Sequence, residues 1–99
     1  MTQNETLLLG IDIGTTGTKC AIYDLKGELV AHAYQEYSMI HPQPSWIEQD
    51  PHRWWNAVQT NLRDCFEQQG IDSSRIASIG LSCTNAMTLV DEAGEPVYN

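Results

Sequence analysis

Positively charged side chains are scarce in this 99-residue sequence, which has 5 lysines and arginines against 13 aspartates and glutamates. The formal net charge of -8 argues against a nucleic-acid-binding surface and against an anionic membrane as partners, because both attract basic proteins. Any nucleotide site in this chain would have to use backbone donors, a metal ion and a few well-placed cations.

Long hydrophobic runs are also absent, and the longest apolar stretch is far too short to span a bilayer. The first five residues, MTQNE, lack the basic start and the apolar core of a signal peptide. A cytoplasmic location is therefore the default expectation.

The three cysteines show no recognisable spacing. Cys20, Cys65 and Cys83 are odd in number and widely separated, so they form neither a zinc-ligand pattern nor a disulfide framework. We expect all three to be small buried hydrophobic side chains in a reducing compartment. The remaining composition, 41% hydrophobic and 8% aromatic, is that of one ordinary globular domain with a modest core.

The most informative segment is GIDIGTTGTK, residues 10–19, which follows an apolar run. Its small residues would let an oxygen-rich ligand approach the backbone closely, and amides and hydroxyls could then surround a phosphate. Asp12 before the loop could hold a hydrated cation, and Lys19 after it could meet a phosphate. The candidate phosphate-binding residues are Gly14, Thr15, Thr16, Gly17, Thr18 and Lys19.

Each of these residues also has a simpler explanation. The loop could be a plain β-turn that uses glycine for tightness, and Lys19 could be a solvated lysine at a strand end. Asp12 could cap the amides of its own loop. The combination of Asp12, the loop and Lys19 favours the phosphate interpretation over these alternatives.

The apolar patterns predict a mixed sheet with a helix on one face, in the order β-β-β-α-β-β, and hence the α/β class. The first strand is nearly all apolar, so we expect it to be central and covered on both faces. The predicted strands are 7–12, 18–24, 29–36, 76–82 and 87–90.

One helix is predicted after Asp50, a good N-cap, with Pro51 at its first position and Gly70 as its left-handed cap. Its core-facing residues recur at helical spacing: Trp54, Val58, Leu62 and either Cys65 or Phe66. We also expect Trp46, in the loop before the helix, and the Trp54–Trp55 pair to pack in the core rather than to form a cofactor site.

Several segments together resemble the FGGY carbohydrate kinase family, which includes glycerol, xylulose and gluconate kinases. They are GIDIGTTGTK at 10–19, PSWIEQDP at 44–51 followed by Trp54–Trp55, IGLS at 79–82 and DEAGEPVYN at 91–99. The resemblance implies the ribonuclease-H-like fold that sugar kinases share with actin and the heat-shock ATPases. It also implies that residues 1–99 form the N-terminal portion of the first kinase domain, with the rest of that domain and a second domain absent.

The resemblance implies a chemistry for these residues. A sugar kinase transfers the γ-phosphoryl group of ATP to a sugar hydroxyl, chiefly by positioning and by neutralising phosphate charge. Asp12 would bind Mg²⁺, through water, and the loop and Lys19 would hold the ATP phosphates. The family's catalytic base is an aspartate far beyond residue 99, so the 99 residues contain no catalytic residue and are expected to be inactive alone.

Thr84, Asn85 and Ala86 follow the fourth predicted strand, where relatives contact the sugar. Glycerol kinases have an Arg-Glu pair there and xylulose and gluconate kinases a Met-His or similar pair, whereas this sequence matches neither. Asn85 could bond a polyol hydroxyl or could be an ordinary turn residue. The departure makes glycerol an unexpected substrate and leaves the sugar open.

Two other functions compete with the kinase. The chain could be a non-catalytic module that forms homo-oligomers through an unpaired strand near 87–98 or through an exposed apolar face. It could also be an actin-like or heat-shock-type ATPase fragment. The phrase Trp46-x-Glu48-x-Asp50-Pro51 argues against the second alternative, because those families lack it at this place.

Overall fold

The computed structural model describes residues 5–83 and 88–98. A 3-10 turn at Ser73–Arg75 precedes the fourth strand. The other elements in chain order are β1 Leu7–Ile13, β2 Gly17–Asp24, β3 Leu29–Glu36, α1 Pro51–Gln68, β4 Ile76–Cys83, β5 Leu89–Val90 and β6 Pro96–Tyr98.

Four strands form one mixed sheet in the order β3-β2-β1-β4. The first three strands make an antiparallel meander, and β4 runs parallel to β1 on its other side. The predicted mixed sheet and α/β class are therefore confirmed. The predicted place of the fifth strand is wrong, because β5 pairs with β6 in a separate two-stranded sheet. That pairing occupies one edge of each strand in the segment that we expected to be unpaired, and self-association stays a prediction.

Helix α1 begins and ends where its sequence signals predict. The Asp50 carboxylate accepts a 2.9 Å hydrogen bond from the His52 N–H, which satisfies one of the amides at the helix start. Gly70 has a φ of 60°, the left-handed conformation that favours glycine after a helix. Within the described ranges, no helix combines the length and apolar character that crossing a bilayer would need.

The core lies between α1 and the sheet, mainly over β2 and β3. Alternate residues of each strand point toward the helix, so one face of the sheet carries small and medium apolar side chains. The buried core cluster consists of Leu7, Leu9, Cys20, Ile22, Ala31, Ala33, Cys65 and Ile71. Leu62 and Phe66 of α1 pack against it, as their spacing predicts.

The opposite face of the sheet is uncovered in the described part of the chain. β1 is central in the sheet, as predicted, but Leu8 on its far face is 37% exposed, so the expected cover on both faces is wrong. Trp46 and Trp55 are 52% and 60% exposed, and the prediction that they belong to the core is also wrong. A single helix buries only one face of a sheet, and it has only one apolar stripe of its own to bury.

The outer edge of β3 is capped by a side chain of the helix. Gln68 donates from Nε2 to the His32 carbonyl at 2.7 Å, and its Oε1 accepts from the His32 N–H at 3.3 Å. One amide side chain thus replaces the hydrogen bonds that a further strand would make at this position. This contact blunts an edge strand and fixes the C-terminal end of α1 against the sheet.

The three cysteines divide into two environments. Cys20 and Cys65 are buried side by side between β2 and α1, as predicted, whereas Cys83 at the end of β4 is exposed, contrary to prediction. Burial raises the pKa of Cys65 from 9.0 to about 11, with smaller contributions from Cys20 and Asp64. Burial also raises the pKa of Cys20, partly offset by the neighbouring Asn61 side chain.

These shifts predict that alkaline pH destabilises the fold. A folded-state pKa above the unfolded value means that the folded state favours the neutral thiol. The stability that this preference contributes is fully present below pH 9.0 and declines as the pH rises toward about 11. We expect the free energy of unfolding in urea to fall over this interval. The decline should shrink in Cys65→Ala and persist in Cys83→Ala, and equal declines in both variants would contradict the assignment.

Candidate functional site

The β1–β2 register brings Asp12 and Lys19 together. They are direct cross-strand partners, and strand alternation places both on the sheet face opposite α1, where both are exposed. Neither side chain is engaged in an ion pair in the described part of the chain. A carboxylate and an ammonium group are therefore both available to a ligand beside the loop that joins the two strands.

A polar row crosses the sheet at this level. Ser82 of β4 is the partner of Asp12, and Tyr34 of β3 is the partner of Lys19, so all four strands contribute one residue. The next row along the strands is made of small residues, and an open groove of about 440 Å³ lies over it. That row contains Gly80, Gly10 and Ala21.

The loop between β1 and β2 is closed by a 2.9 Å hydrogen bond from the Gly14 N–H to the Gly17 carbonyl. Thr15 and Thr16 at its tip are exposed, whereas Gly17 and Thr18 are buried. Of the predicted phosphate-binding residues, the structure thus gathers all six around one tight turn. It presents the two tip threonines and Lys19 outward and turns the Thr18 side chain inward.

Glycine is required in this loop by crowding and not by backbone conformation. Positive φ angles among the described residues occur at other glycines, Gly27, Gly70 and Gly94. A Cβ on Gly14 would lie 2.9 Å from the Gly17 carbonyl oxygen. A Cβ on Gly17 would overlap the phenol of Tyr34 and lie 2.7 Å from the Gln35 carbonyl oxygen, closer than real Cβ contacts.

Two polar side chains that the sequence did not single out hold the loop from the α1 side. The Tyr37 hydroxyl donates to the Gly14 carbonyl at 2.5 Å and lies 3.0 Å from Thr18 Oγ1. Asn61 of α1, fully buried, donates from Nδ2 to the Thr18 carbonyl at 2.8 Å, while its Oδ1 has no partner in the described residues. The absence of a hydrophobic residue at 61, inside an otherwise apolar stripe, was the one available signal.

The described residues contain no group of three or more His, Cys, Asp or Glu side chains that could hold a metal ion. Asp12 offers a single exposed carboxylate, and Mg²⁺ is commonly bound by one or two carboxylates with the remaining ligands from water and phosphate oxygens. The donor set therefore fits a hydrated Mg²⁺ that is shared with a phosphate ligand. Thr84, Asn85 and Ala86, the predicted substrate residues, lie outside the described residues.

The glycine contacts give a matched pair of substitutions. Gly17→Ala should destabilise the chain by about 1–3 kcal/mol, because the new methyl group has to displace Tyr34 and the β3 backbone. Gly80→Ala, at a strand glycine with nothing within 4 Å of its Cβ position, should be neutral or stabilising by up to about 1 kcal/mol. Urea unfolding of both variants checks this, and equal losses would refute the crowding argument.

Comparison with known proteins matches residues 7–99 to the N-terminal domain of the FGGY family of carbohydrate kinases. The chain is 37% identical to a glycerol kinase of Ligilactobacillus salivarius, over 98% of this chain and 20% of that protein. A glycerol kinase of Roseiflexus sp. is 38% identical, over 90% of this chain and 18% of the relative. The chain thus spans about a fifth of the length of the curated relatives that it matches.

Solved structures agree with the sequence matches. The gluconate kinase of Lactobacillus acidophilus superimposes with a TM-score of 0.81 at 31% identity, over 96% of this chain and 19% of that one. The ligand-bound xylulose kinase of the same organism gives 0.80 at 32% identity, over 95% and 19%. These likenesses confirm the ribonuclease-H-like fold that the motifs imply. The chain belongs to the FGGY family of carbohydrate kinases, whose N-terminal domain it matches over residues 7–99.

Proposed function

We propose that this chain is the phosphate-binding portion of an ATP-dependent sugar or polyol kinase. Such an enzyme transfers the γ-phosphoryl group of MgATP to a hydroxyl of its substrate. Membership of the FGGY family supports this proposal, and the exposed Asp12–Lys19 pair beside the tight β1–β2 loop is the observation that carries it.

The charges around the loop suit a nucleotide that arrives with a divalent cation. A carboxylate beside a phosphate site is repulsive unless a cation lies between the two, so Asp12 favours a ligand that brings Mg²⁺. Lys19, its cross-strand partner, supplies a compact positive charge on the same face. Bound Mg²⁺ would neutralise charge on the phosphate oxygens, and Asp12 would hold it through water.

The other steps of the proposed reaction use the loop as a rigid support. Thr15 and Thr16 at the exposed tip and the loop backbone would orient the phosphates for in-line attack by the acceptor hydroxyl. The catalytic base and the adenosine site are proposed to lie in sequence beyond residue 99. This division agrees with the length comparison, in which relatives are about five times as long as this chain.

We propose only the class of the phosphoryl acceptor, a sugar or a polyol. The curated relatives named above are glycerol kinases, whereas the matched structures are gluconate and xylulose kinases. We propose Thr84, Asn85 and Ala86, which follow the last residue of β4 in the sequence, as the contacts that distinguish the acceptor. A cytoplasmic location and self-association through an apolar face both stay predictions.

Titration with MgATP tests the phosphate site directly. In amide NMR spectra of the 99-residue chain, we expect millimolar MgATP to shift the signals of Gly14 to Thr18. Lys19→Met should weaken this response about two- to fivefold, since exposed charge pairs are worth up to about 1 kcal/mol. Lys26→Met, in the exposed β2–β3 turn at the other end of the strand, removes the same charge and should leave the response unchanged.

Two results would count against the proposal. An absence of shifts in the loop at millimolar nucleotide would remove its role in phosphate binding. Equal weakening in Lys19→Met and Lys26→Met would mean that only net charge matters.

In a separate assay, the 99-residue chain should phosphorylate no sugar or polyol, because the proposed catalytic base lies beyond residue 99. Turnover at a kinase-like rate would show that the base lies within these residues.

A further inference from the structure

A continuous chain of hydrogen bonds runs from the core to the candidate phosphate loop. Tyr37 donates its single hydroxyl proton in a 2.5 Å hydrogen bond to the Gly14 carbonyl. The 3.0 Å contact with Thr18 must therefore be a bond that the threonine hydroxyl donates to the Tyr37 oxygen. Bonds linked in this way polarise and strengthen one another.

Tyr37 contacts the loop at a second point through its backbone. Its N–H donates to the Thr16 carbonyl at 3.1 Å, so one residue satisfies two carbonyl oxygens of the loop. Carbonyl oxygens carry partial negative charge and repel a phosphate, whereas backbone N–H groups attract it. The two hydrogen bonds from Tyr37 fix the directions of the Gly14 and Thr16 carbonyls before any ligand binds.

The Tyr37 hydroxyl draws the Gly14 carbonyl away from the proposed ligand. Thr18 lies on the helix-facing side of β2, as Cys20 does, and it is fully buried. Since its hydroxyl contacts Tyr37, the Tyr37 hydroxyl lies on that side as well. Asp12 and Lys19 lie on the opposite face of the sheet, so Tyr37 acts on the loop from behind the site.

We propose that Tyr37 is a positioning residue of the phosphate loop, whose hydroxyl holds the Gly14 carbonyl inward and preorganises the loop for a triphosphate. The inference rests on the proposed function and deepens it. It attributes part of the affinity for MgATP to a residue that does not touch the nucleotide. A purely structural tyrosine would contribute through its ring, which a phenylalanine retains. Tyr37 contributes through its oxygen, which a phenylalanine lacks.

The test compares Tyr37→Phe with Tyr23→Phe in the 99-residue chain. Tyr23 is exposed on β2, four residues beyond Lys19, and loses the same hydroxyl group. We expect Tyr37→Phe to speed amide hydrogen exchange at Gly14 and Gly17 and to weaken MgATP binding about fivefold, the value of one ordinary hydrogen bond. Tyr23→Phe should change neither quantity.

Thr18 provides a second route to the same bond chain. Thr18→Val removes the donated hydrogen bond at nearly constant shape, and Thr18→Ser restores a hydroxyl, so affinity should fall in the first variant and recover in the second. Because both residues act through one bridge, the double variant with Tyr37→Phe should bind no more weakly than Tyr37→Phe alone. If Tyr37→Phe did not fold, the Thr18 pair would decide the question.

The outcomes separate the inference from the function beneath it. If the parent chain binds MgATP and Tyr37→Phe binds equally well, Tyr37 has no positioning role and the proposed function stands. Faster exchange without weaker binding overturns the inference in the same way, since it shows a structural contact only. If the parent chain binds no MgATP, the phosphate site itself fails and the inference falls with it.

Discussion

The tight turn between β1 and β2 is the constraint on which the rest of the site depends. Its closing hydrogen bond, from the Gly14 N–H to the Gly17 carbonyl, sets Ile13 opposite Thr18 and Asp12 opposite Lys19. Strand side chains alternate between faces, so a slip of one residue would carry Asp12 to the wrong side of the sheet. The glycines are needed because backbone atoms and a tyrosine ring meet there. The crowded positions are therefore also residues of the proposed phosphate site.

The parallel pairing of β4 extends that constraint to the other side of β1. Ser82 is the partner of Asp12 and Cys83 is the partner of Ile13, so β4 ends at the sheet edge where the loop begins. Parallel strands deliver their following segments to one edge, and ligands of α/β proteins commonly bind at such an edge. The register therefore accounts for why residues far apart in sequence contribute to one polar row.

The sequence predicted those features that depend on local chemistry. The cap at Asp50, the left-handed Gly70 and the first four strands were each signalled by residues within a few positions. The failures required long-range information. Trp55 and Cys83 looked apolar enough for a core, yet both are exposed. Trp55 lies outside the one stripe that α1 buries, and Cys83 lies on β4, away from the β2–β3 side that α1 covers.

The residues of the candidate site fall into the same two groups, those predictable from local sequence and those that depend on long-range contacts. Asp12, Lys19 and the glycine-threonine loop were predicted, because their spacing is local and their chemistry is distinctive. Tyr37 was not predicted, since nothing in the sequence shows that its hydroxyl reaches a carbonyl 23 residues earlier in the chain. Asn61 was hidden for a similar reason, as its bond to Thr18 joins a helix to a strand 43 positions away.

Scarcity of positive charge makes these hidden contacts more important. In a chain of net charge -8, the long-range field repels a nucleotide, and Lys19 is the one cation that the predicted site contains. Phosphate binding at the proposed site would then depend on neutral backbone donors and on a cation brought by the ligand. A dipole is useful only when its direction is fixed, because a mobile loop would present carbonyls as often as amides. In the proposed site, the bonds from Tyr37 and Thr18 would supply that fixed direction without adding charge, which would make an acidic surface compatible with phosphate binding in the same small sheet.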